Sequence, residues 1–580
     1  MSQLQIWAPR VQRVEVEWQG GRRPLRTRCD GYHQLEGDRL SHGQDYVLWL
    51  DDEGPFPDPR SPWQPQGANG PSRHLDHGLF PWRHREWRQI PWRQAVIYEL
   101  HVGTFTPAGT FDAAREKLSH LKRLGVTHIE LMPVAEFTGR RSWGYDGVNL
   151  FSPHHGYGGP DGLKRFVDDC HGRGINVIVD VVYNHLGPVG NHLGRFGPYF
   201  SPEHHTPWGD GVNLDGPDSD EVRRFFIDNA FMWLRDYHLD GLRVDAVHSL
   251  PDQSALPFVE QLTTEVAALG RELGRKLIVI AESNANNPRL VLPPDQGGQG
   301  FDAQWNDDFH HALHALLTGE TAGYYEDYGR VDDLARVLAG NYCYDHRYSH
   351  FRRRHYGRPA AHLPGSCFVA GLQNHDQIGN RATGERIGHL VTPAEARLGA
   401  AVTLLSPFVP MLFQGEEWSA STPFQYFTNF DIAELREQIH QGRQREFAAF
   451  GYDPALLPDS EAEQTWRLSQ LRWEEAESAA GGDMLDWYQA LIALRAEHPD
   501  LQAGALEPAG IRFDEQERWL TFRRGRFTIC CNFAAHAQTI DPGHDGAVSL
   551  RLASSQEVDL RETHVHLPGH GVAVLEEQHA

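Results

Sequence analysis

Six cysteines in 580 residues, at 29, 170, 343, 367, 530 and 531, are too few and too scattered for a disulfide framework, and the adjacent pair at 530 and 531 is poorly placed to bridge itself. The chain does not open on a basic stretch followed by an apolar run, and no apolar run is long enough to span a bilayer, which disfavours secretion and membrane insertion. Positive charge is also short. Lys and Arg number 54 against 78 Asp and Glu, a formal net charge of -24, which opposes broad attraction to phosphate backbones or anionic lipid. These absences predict a cytoplasmic protein with neither nucleic acid nor membrane as partner.

Cofactor signatures are lacking too. The Gly-rich stretch from Gln296 to Gly300 has no Lys-Ser/Thr after it and reads as a loop, not a phosphate cradle. The pairs His154-His155, His204-His205 and His310-His311 lack the three- or four-residue spacing that puts ligands on one helix face, and they have no cysteine partners, so no metal and no other cofactor is expected.

What is present is aromatic and polar: 16 Trp, 18 Tyr and 34 His suit a groove for a neutral, hydrogen-bonding ligand such as a sugar, although most aromatics are simply core. The length exceeds one hydrophobic core, and the texture changes twice. Residues 1–92 read as a small β-sandwich followed by a linker with eight prolines between 54 and 92. Residues 500–580 return to short strand-like runs, a second sandwich.

Between them, 93–499 alternates apolar runs of strand length with helix-period segments, the pattern of an α/β barrel. Eight strands are predicted: Val96–Leu100, His128–Pro133, Asn176–Asp180, Gly241–Asp245, Leu277–Ala281, Phe301–Trp305, Cys367–Leu372 and Val409–Gln414. Seven intervening helices, among them Phe111–Leu124, Glu221–Tyr237 and Ala394–Leu405, and a closing one at Met484–Glu497 favour a (β/α)8 TIM barrel over an open sheet. Long segments at 140–160, 184–218 and 418–483 follow strands and belong to the face where barrel enzymes place their chemistry.

Four polar clusters end predicted strands: Asp180 to His185, Gly241 to His248, Ala281 to Ser283, and Gln373 to Asp376. A lone Asp at a strand end is more often a helix cap or ion-pair member than a catalyst. Four on one barrel face are a different case, because parallel strands bring Asp180, Asp245, Glu282 and Asp376 to one mouth. Carboxylates crowded together raise the pKa of at least one, leaving an acid beside a base at neutral pH, as glycoside cleavage requires. Arg243, two residues before Asp245, points to the same side and can keep that carboxylate ionised.

These clusters resemble the four short sequence regions of the α-amylase superfamily, the glycoside hydrolases of clan H, over about 96 to 497. The resemblance implies Asp245 as nucleophile, Glu282 as proton donor and Asp376 as the carboxylate that stabilises the distorted sugar. It implies that Asp180, Asn184, His185, Arg243, Asn374 and His375 hold the site and its sugar hydroxyls, and that Tyr145 stacks on the ring. Many members carry a structural Ca2+, but no dense Asp/Asn/Gly calcium loop is seen here.

Within that superfamily, the segment Ile97 to Thr106, His248, the block Asn306 to His314 and the stretch Leu363 to Arg381 resemble the maltooligosyltrehalose trehalohydrolases. Members hydrolyse the α-1,4 bond next to a terminal trehalose and release it. Asp307, Asp308, His310, His311, His248 and Gln377 are then candidates for recognising the trehalose end of the α-glucan. Capping and filling are equally good readings of each of these alone. Trp7 to Pro9 is similar to the immunoglobulin-like domain that precedes the barrel in such enzymes. Asn284 stands where an acidic residue is characteristic, a departure read as peripheral. Two alternatives stay open: a glucan branching or debranching enzyme, and a non-catalytic glucan-binding protein.

Overall fold

A computed structural model describes residues 4–430, 432–449, 453, 456–543 and 546–578. The first three residues and parts of the segment 418–483, at 431, 450–452 and 454–455, lie outside the described residues.

Eight parallel strands close on themselves in sequence order: β1 (Ile97–Leu100), β2 (His128–Leu131), β3 (Asn176–Val181), β4 (Gly241–Val244), β5 (Ile278–Ala281), β6 (Ala303–Trp305), β7 (Phe368–Gly371) and β8 (Val409–Phe413), with β8 pairing β1. Each predicted strand is found within a few residues of its expected bounds. The two-residue period sorts the side chains. Ile97, Ile178, Ile278, Ile280, Val369, Val409 and Met411 pack one another inside the barrel, whereas Tyr98, Leu100, Ile129, Leu131, Val177 and Val179 join the larger core under the helices.

Helices cover the outside, including Gly159–Gly172, Ser219–Phe231, Phe258–Leu273, Asp307–Thr318, Pro393–Leu405 and Ala479–Glu497. Three differ from expectation. The segment 111–124 breaks into Phe111–Arg115 and Leu118–Leu124. The helix expected to run to Tyr237 ends in one π turn, Met232–Asp236. Between β5 and β6 there is no α-helix at all, only the short turns Pro288–Leu290 and Pro294–Gln296, so six intervals carry helices instead of seven. The Asn-, Pro- and Gly-rich stretch from Asn284 to Gly300 disfavours a helix there.

Antiparallel sheets flank the barrel in sequence. Near the start one sheet holds Gln5–Trp7, Arg26–Thr27 and Tyr32–Gln34, and another holds Val14–Trp18, Gly21–Pro24, Asp45–Leu50, Glu53–Phe56 and Ser72–Arg73. The last two strands come from the segment read as linker. Near the end, Arg512–Asp514, Trp519–Arg524, Phe527–Asn532, Val548–Ala553 and Val572–Glu577 form one sheet, facing a three-stranded sheet across Cys530, Ile540, Val565, Leu567, Ala573 and Leu575.

Candidate active site

The inward positions near the ends of the strands carry the predicted polar residues because each lies an even number of residues from an interior aliphatic. Asp180 follows Ile178, Glu282 follows Ile280, and Arg243 pairs with both Asp180 and Ile280 in register. Past the strand ends the ladder continues for one bond each: Asp245 N donates to Val181 O at 3.0 Å and Glu282 N to Val244 O at 3.0 Å.

Arg243 organises the centre. Its Nη1 donates to Asp180 Oδ2 at 2.7 Å and to Asp245 Oδ1 at 2.8 Å, and its guanidinium lies 4.1 Å from the centroid of the Trp305 ring. Asp180 also accepts from Tyr145 Oη at 2.5 Å, which in turn lies 2.8 Å from His375 Nε2. On its far side His375 meets the buried Glu99, with Nδ1 2.5 Å from Oε1 and the backbone N–H donating to Oε2 at 3.0 Å. A continuous chain thus runs Glu99–His375–Tyr145–Asp180–Arg243–Asp245. Burial would lower the pKa of His375, but the carboxylates of Asp376 and Glu99 outweigh it and hold the imidazolium to about 9.

Glu282 sits opposite. Its Oε2 accepts from the backbone N–H of Ala246 at 2.5 Å, which brings it against the residue that follows Asp245. Ala246 adopts left-handed backbone geometry, φ 38° and ψ 52°, a strained state for a residue with a Cβ, and in it the N–H reaches Glu282. Burial first, then the charges of Asp245, Asp376 and Asp307, push Glu282 up to about 8 against the pull of Arg243. Burial likewise raises Asp180 to about 6. The arrangement pairs a proton-bearing carboxyl with a carboxylate ion-paired to Arg243.

Tyr145 reaches this centre through a tight loop. Gly144 has φ +100°, and a Cβ there would lie 2.1 Å from Pro133 O, so only glycine fits. His185 is oriented by Tyr145 O, 3.1 Å from its Nε2, and by Trp208, which stacks on its ring at 4.6 Å and 10°. Asn184 is fully buried, with neither side-chain polar atom bonded.

The opening has two lobes. The larger, about 540 Å3, is lined by Tyr145, His185, Trp208, Asp245, His248 and Arg443 among others. The smaller, about 240 Å3, is lined by Trp305, Asp307, His311, Tyr324, Phe351, Arg352, Asn374 and Gln377. Glu282, Asn284, Asp376 and Asn380 border both lobes.

Of the six predicted recognition residues, Asp307, His311 and Gln377 line the smaller lobe and His248 the larger. Asp308 and His310 do not reach either. Asp308 accepts from Tyr328 Oη, Asn286 Nδ2 and the backbone N–H groups of Cys343 and Tyr344. His310 lies between Leu372 O at 2.9 Å and Tyr325 Oη at 3.0 Å. Both are buried and engaged within the protein, so they are corrected to framework residues. Asn284, read as peripheral, stands on the shared wall. Sequence reasoning missed Trp208, Tyr324, Phe351, Arg352 and Tyr426, which come from long connections, and Arg443, which lies on the helix Ala433–Ala449 inside the segment read as a loop, and did not single out Glu99, although it lies inside the Ile97 to Thr106 segment.

An eight-stranded parallel barrel whose mouth gathers acids around one arginine defines a glycoside hydrolase of the α-amylase class, and the family model described as Alpha amylase, catalytic domain, matches residues 81–193. The chain is 45% identical to the malto-oligosyltrehalose trehalohydrolase of Rhizobium sp. (strain M-11), covering 99% of this chain and 97% of that protein, and 46% identical to that of Arthrobacter ramosus, covering 98% of each. It belongs to the malto-oligosyltrehalose trehalohydrolase family. Among solved structures, a putative α-amylase from Salmonella typhimurium superposes with a TM-score of 0.90 at 37% identity, covering 99% and 97% of the two chains.

Proposed function

We propose that the chain hydrolyses the α-1,4-glucosidic bond adjacent to the terminal trehalose of maltooligosyltrehalose with retention of configuration, releasing trehalose. The observation that carries this reading is the shared wall: the proton-bearing Glu282 borders both lobes, while Asp245 faces only the larger. A glucan laid across the wall has its anomeric carbon beside Asp245 and its leaving oxygen beside Glu282.

Asp245 attacks that carbon as Glu282 protonates the departing oxygen. Glu282, now ionised, then removes a proton from water, which displaces Asp245. Arg243 donates to Asp245 and orients it for the first step, and Asp376 faces the same ring, opposite in sign to the developing oxocarbenium ion. Tyr145 and His185 line the chamber of the reacting glucosyl unit, Asp180 and His375 hold Tyr145 in place, Asn374 borders the smaller lobe, and Asn184, fully buried, reaches neither lobe.

In this reading the trehalose end occupies the smaller lobe. Its linkage bends sharply, so its hydroxyls need fixed partners away from the cut bond, and Asp307, His311 and Gln377 supply them, with Arg352 as a further donor. The shortened glucan stays in the larger lobe beside Trp208 and His248. We further read residues 93–499 as the catalytic domain between sandwich domains at 1–92 and 500–580. No helix among the described residues is long and apolar enough to cross a membrane, and we assign the reaction to the cytoplasm, acting on neutral glucan without nucleic acid.

The test incubates purified protein with maltotriosyltrehalose, maltopentaose or amylose and separates the products. Trehalose from the first with little action on the second supports the proposal. Rapid maltopentaose cleavage at equal enzyme, or new branches in amylose, overturns it.

A further inference from the structure

Glu136, His154 and His155 stand apart from the carboxylates of the site, and the proposed reaction makes no use of them. We propose that they form a binding site for one Zn2+ ion, with Glu136 Oε1, His154 Nδ1 and His155 Nδ1 as ligand atoms and water in the remaining position. The adjacent histidines were discounted on spacing, but the turn at 154–157 aims both rings at one carboxylate. Among the described residues they are the one trio of His, Cys, Asp or Glu side chains whose ligand atoms all lie within 4.8 Å of one another.

Both histidine nitrogens already lie close to the carboxylate oxygen, and all three atoms are within 4.8 Å of one another. Glu136 Oε1 lies 3.1 Å from His154 Nδ1 and 2.8 Å from His155 Nδ1. Neighbouring ligands around a tetrahedral zinc with bonds of about 2.1 Å are ~3.4 Å apart, so a slight spreading admits it. Two imidazoles and one carboxylate oxygen suit zinc, whereas calcium and magnesium call for oxygen ligands.

The ligands are held from behind. Glu136 is buried, and its second oxygen accepts the His155 backbone N–H at 2.8 Å. The His154 ring packs against Phe137 at 3.8 Å and Tyr157 at 4.8 Å. Its Nε2 has no hydrogen-bond partner, so neither tautomer is anchored from that side. The His155 side chain is 31% exposed, which leaves an entry path and room for water.

The place gives the ion work to do. Glu136 belongs to the strand Ala135–Phe137, and His154 and His155 directly follow its antiparallel partner Gly147–Pro153. Between these strands runs the loop carrying Trp143, Gly144 and Tyr145. A bound ion would tie the base of that loop shut and steady Tyr145.

The experiment strips the full-length protein with EDTA, adds one to three equivalents of ZnCl2, removes loose metal by gel filtration, and measures retained zinc and thermal unfolding. The expected result is one equivalent retained and a Tm rise on the order of 1–2 °C. His155→Ala and His155→Gln should each weaken retention at least 10-fold and abolish the rise. Gln can still donate to Glu136, so a purely hydrogen-bonded role would leave that variant unaffected. His564→Ala, an exposed control, should match the parent. No retained zinc, or retention unchanged in His155→Gln, overturns the proposal.

Discussion

At the scale of single residues, the decisive property is the unequal treatment of two neighbouring carboxyls. Burial and the surrounding negative charge keep a proton on Glu282 up to about pH 8, while Arg243 donates directly to Asp245. Asp245→Ala should abolish trehalose release, and Glu282→Gln should lower kcat by about 10²–10⁴-fold, both measured on maltotriosyltrehalose. An acid must hold its proton to donate it, so kcat/KM should fall as pH rises through about 8. Asp376→Asn removes one of the charges that raise Glu282, so the residual activity of that variant should lose its alkaline side at lower pH than the parent, read from a pH–rate profile. The principal acids were legible in the sequence because each lies in a polar cluster at the end of a barrel strand or within five residues beyond it. Asp308 and His310 were not separable from Asp307 and His311 by residue type, since which helix faces turn toward the cavity depends on packing against Tyr325, Tyr328 and the 343–344 backbone.

Elements deliver these residues with very different tolerance. The loop between Ala135–Phe137 and Gly147–Pro153 depends on Gly144, whose place against Pro133 O leaves no room for a methyl group. Gly144→Ala should therefore displace Tyr145, lower kcat/KM at least 10-fold and reduce Tm, checked by kinetics and differential scanning calorimetry. The barrel strands were readable from apolar runs bounded by polar clusters. The missing helix between β5 and β6 was not, because eight regular repeats invite an eighth cover, whereas Asn284 to Gly300 spends its length in turns that brace Asp308 through Asn286. The strands at 53–56 and 72–73 were hidden for the opposite reason: prolines mark edges and extended backbone as readily as linkers.

Across the whole molecule the flanking sheets are bound into the barrel. Ala503, just beyond the closing helix, packs with Ile97, Ile278 and Val409 inside the barrel, and its N–H donates to Arg93 O at 3.0 Å. Arg524, from the C-terminal sheet, donates to Leu405 O, Asp500 O and Gln502 O. Heat unfolding followed by circular dichroism and by loss of activity should give coincident transitions, and a chain ending at residue 499 should fail to accumulate in soluble form. Separate transitions would show that the terminal sheets fold and melt on their own.

The partition formed by Glu282, Asn284, Asp376 and Asn380 also bears on how products leave. In the proposed reading the disaccharide and the shortened chain stand in different chambers once the bond is cut, so neither blocks the other's way out. Trehalose and maltotriose should then inhibit as a pair that binds together, giving intersecting rather than parallel lines when the two are titrated against each other.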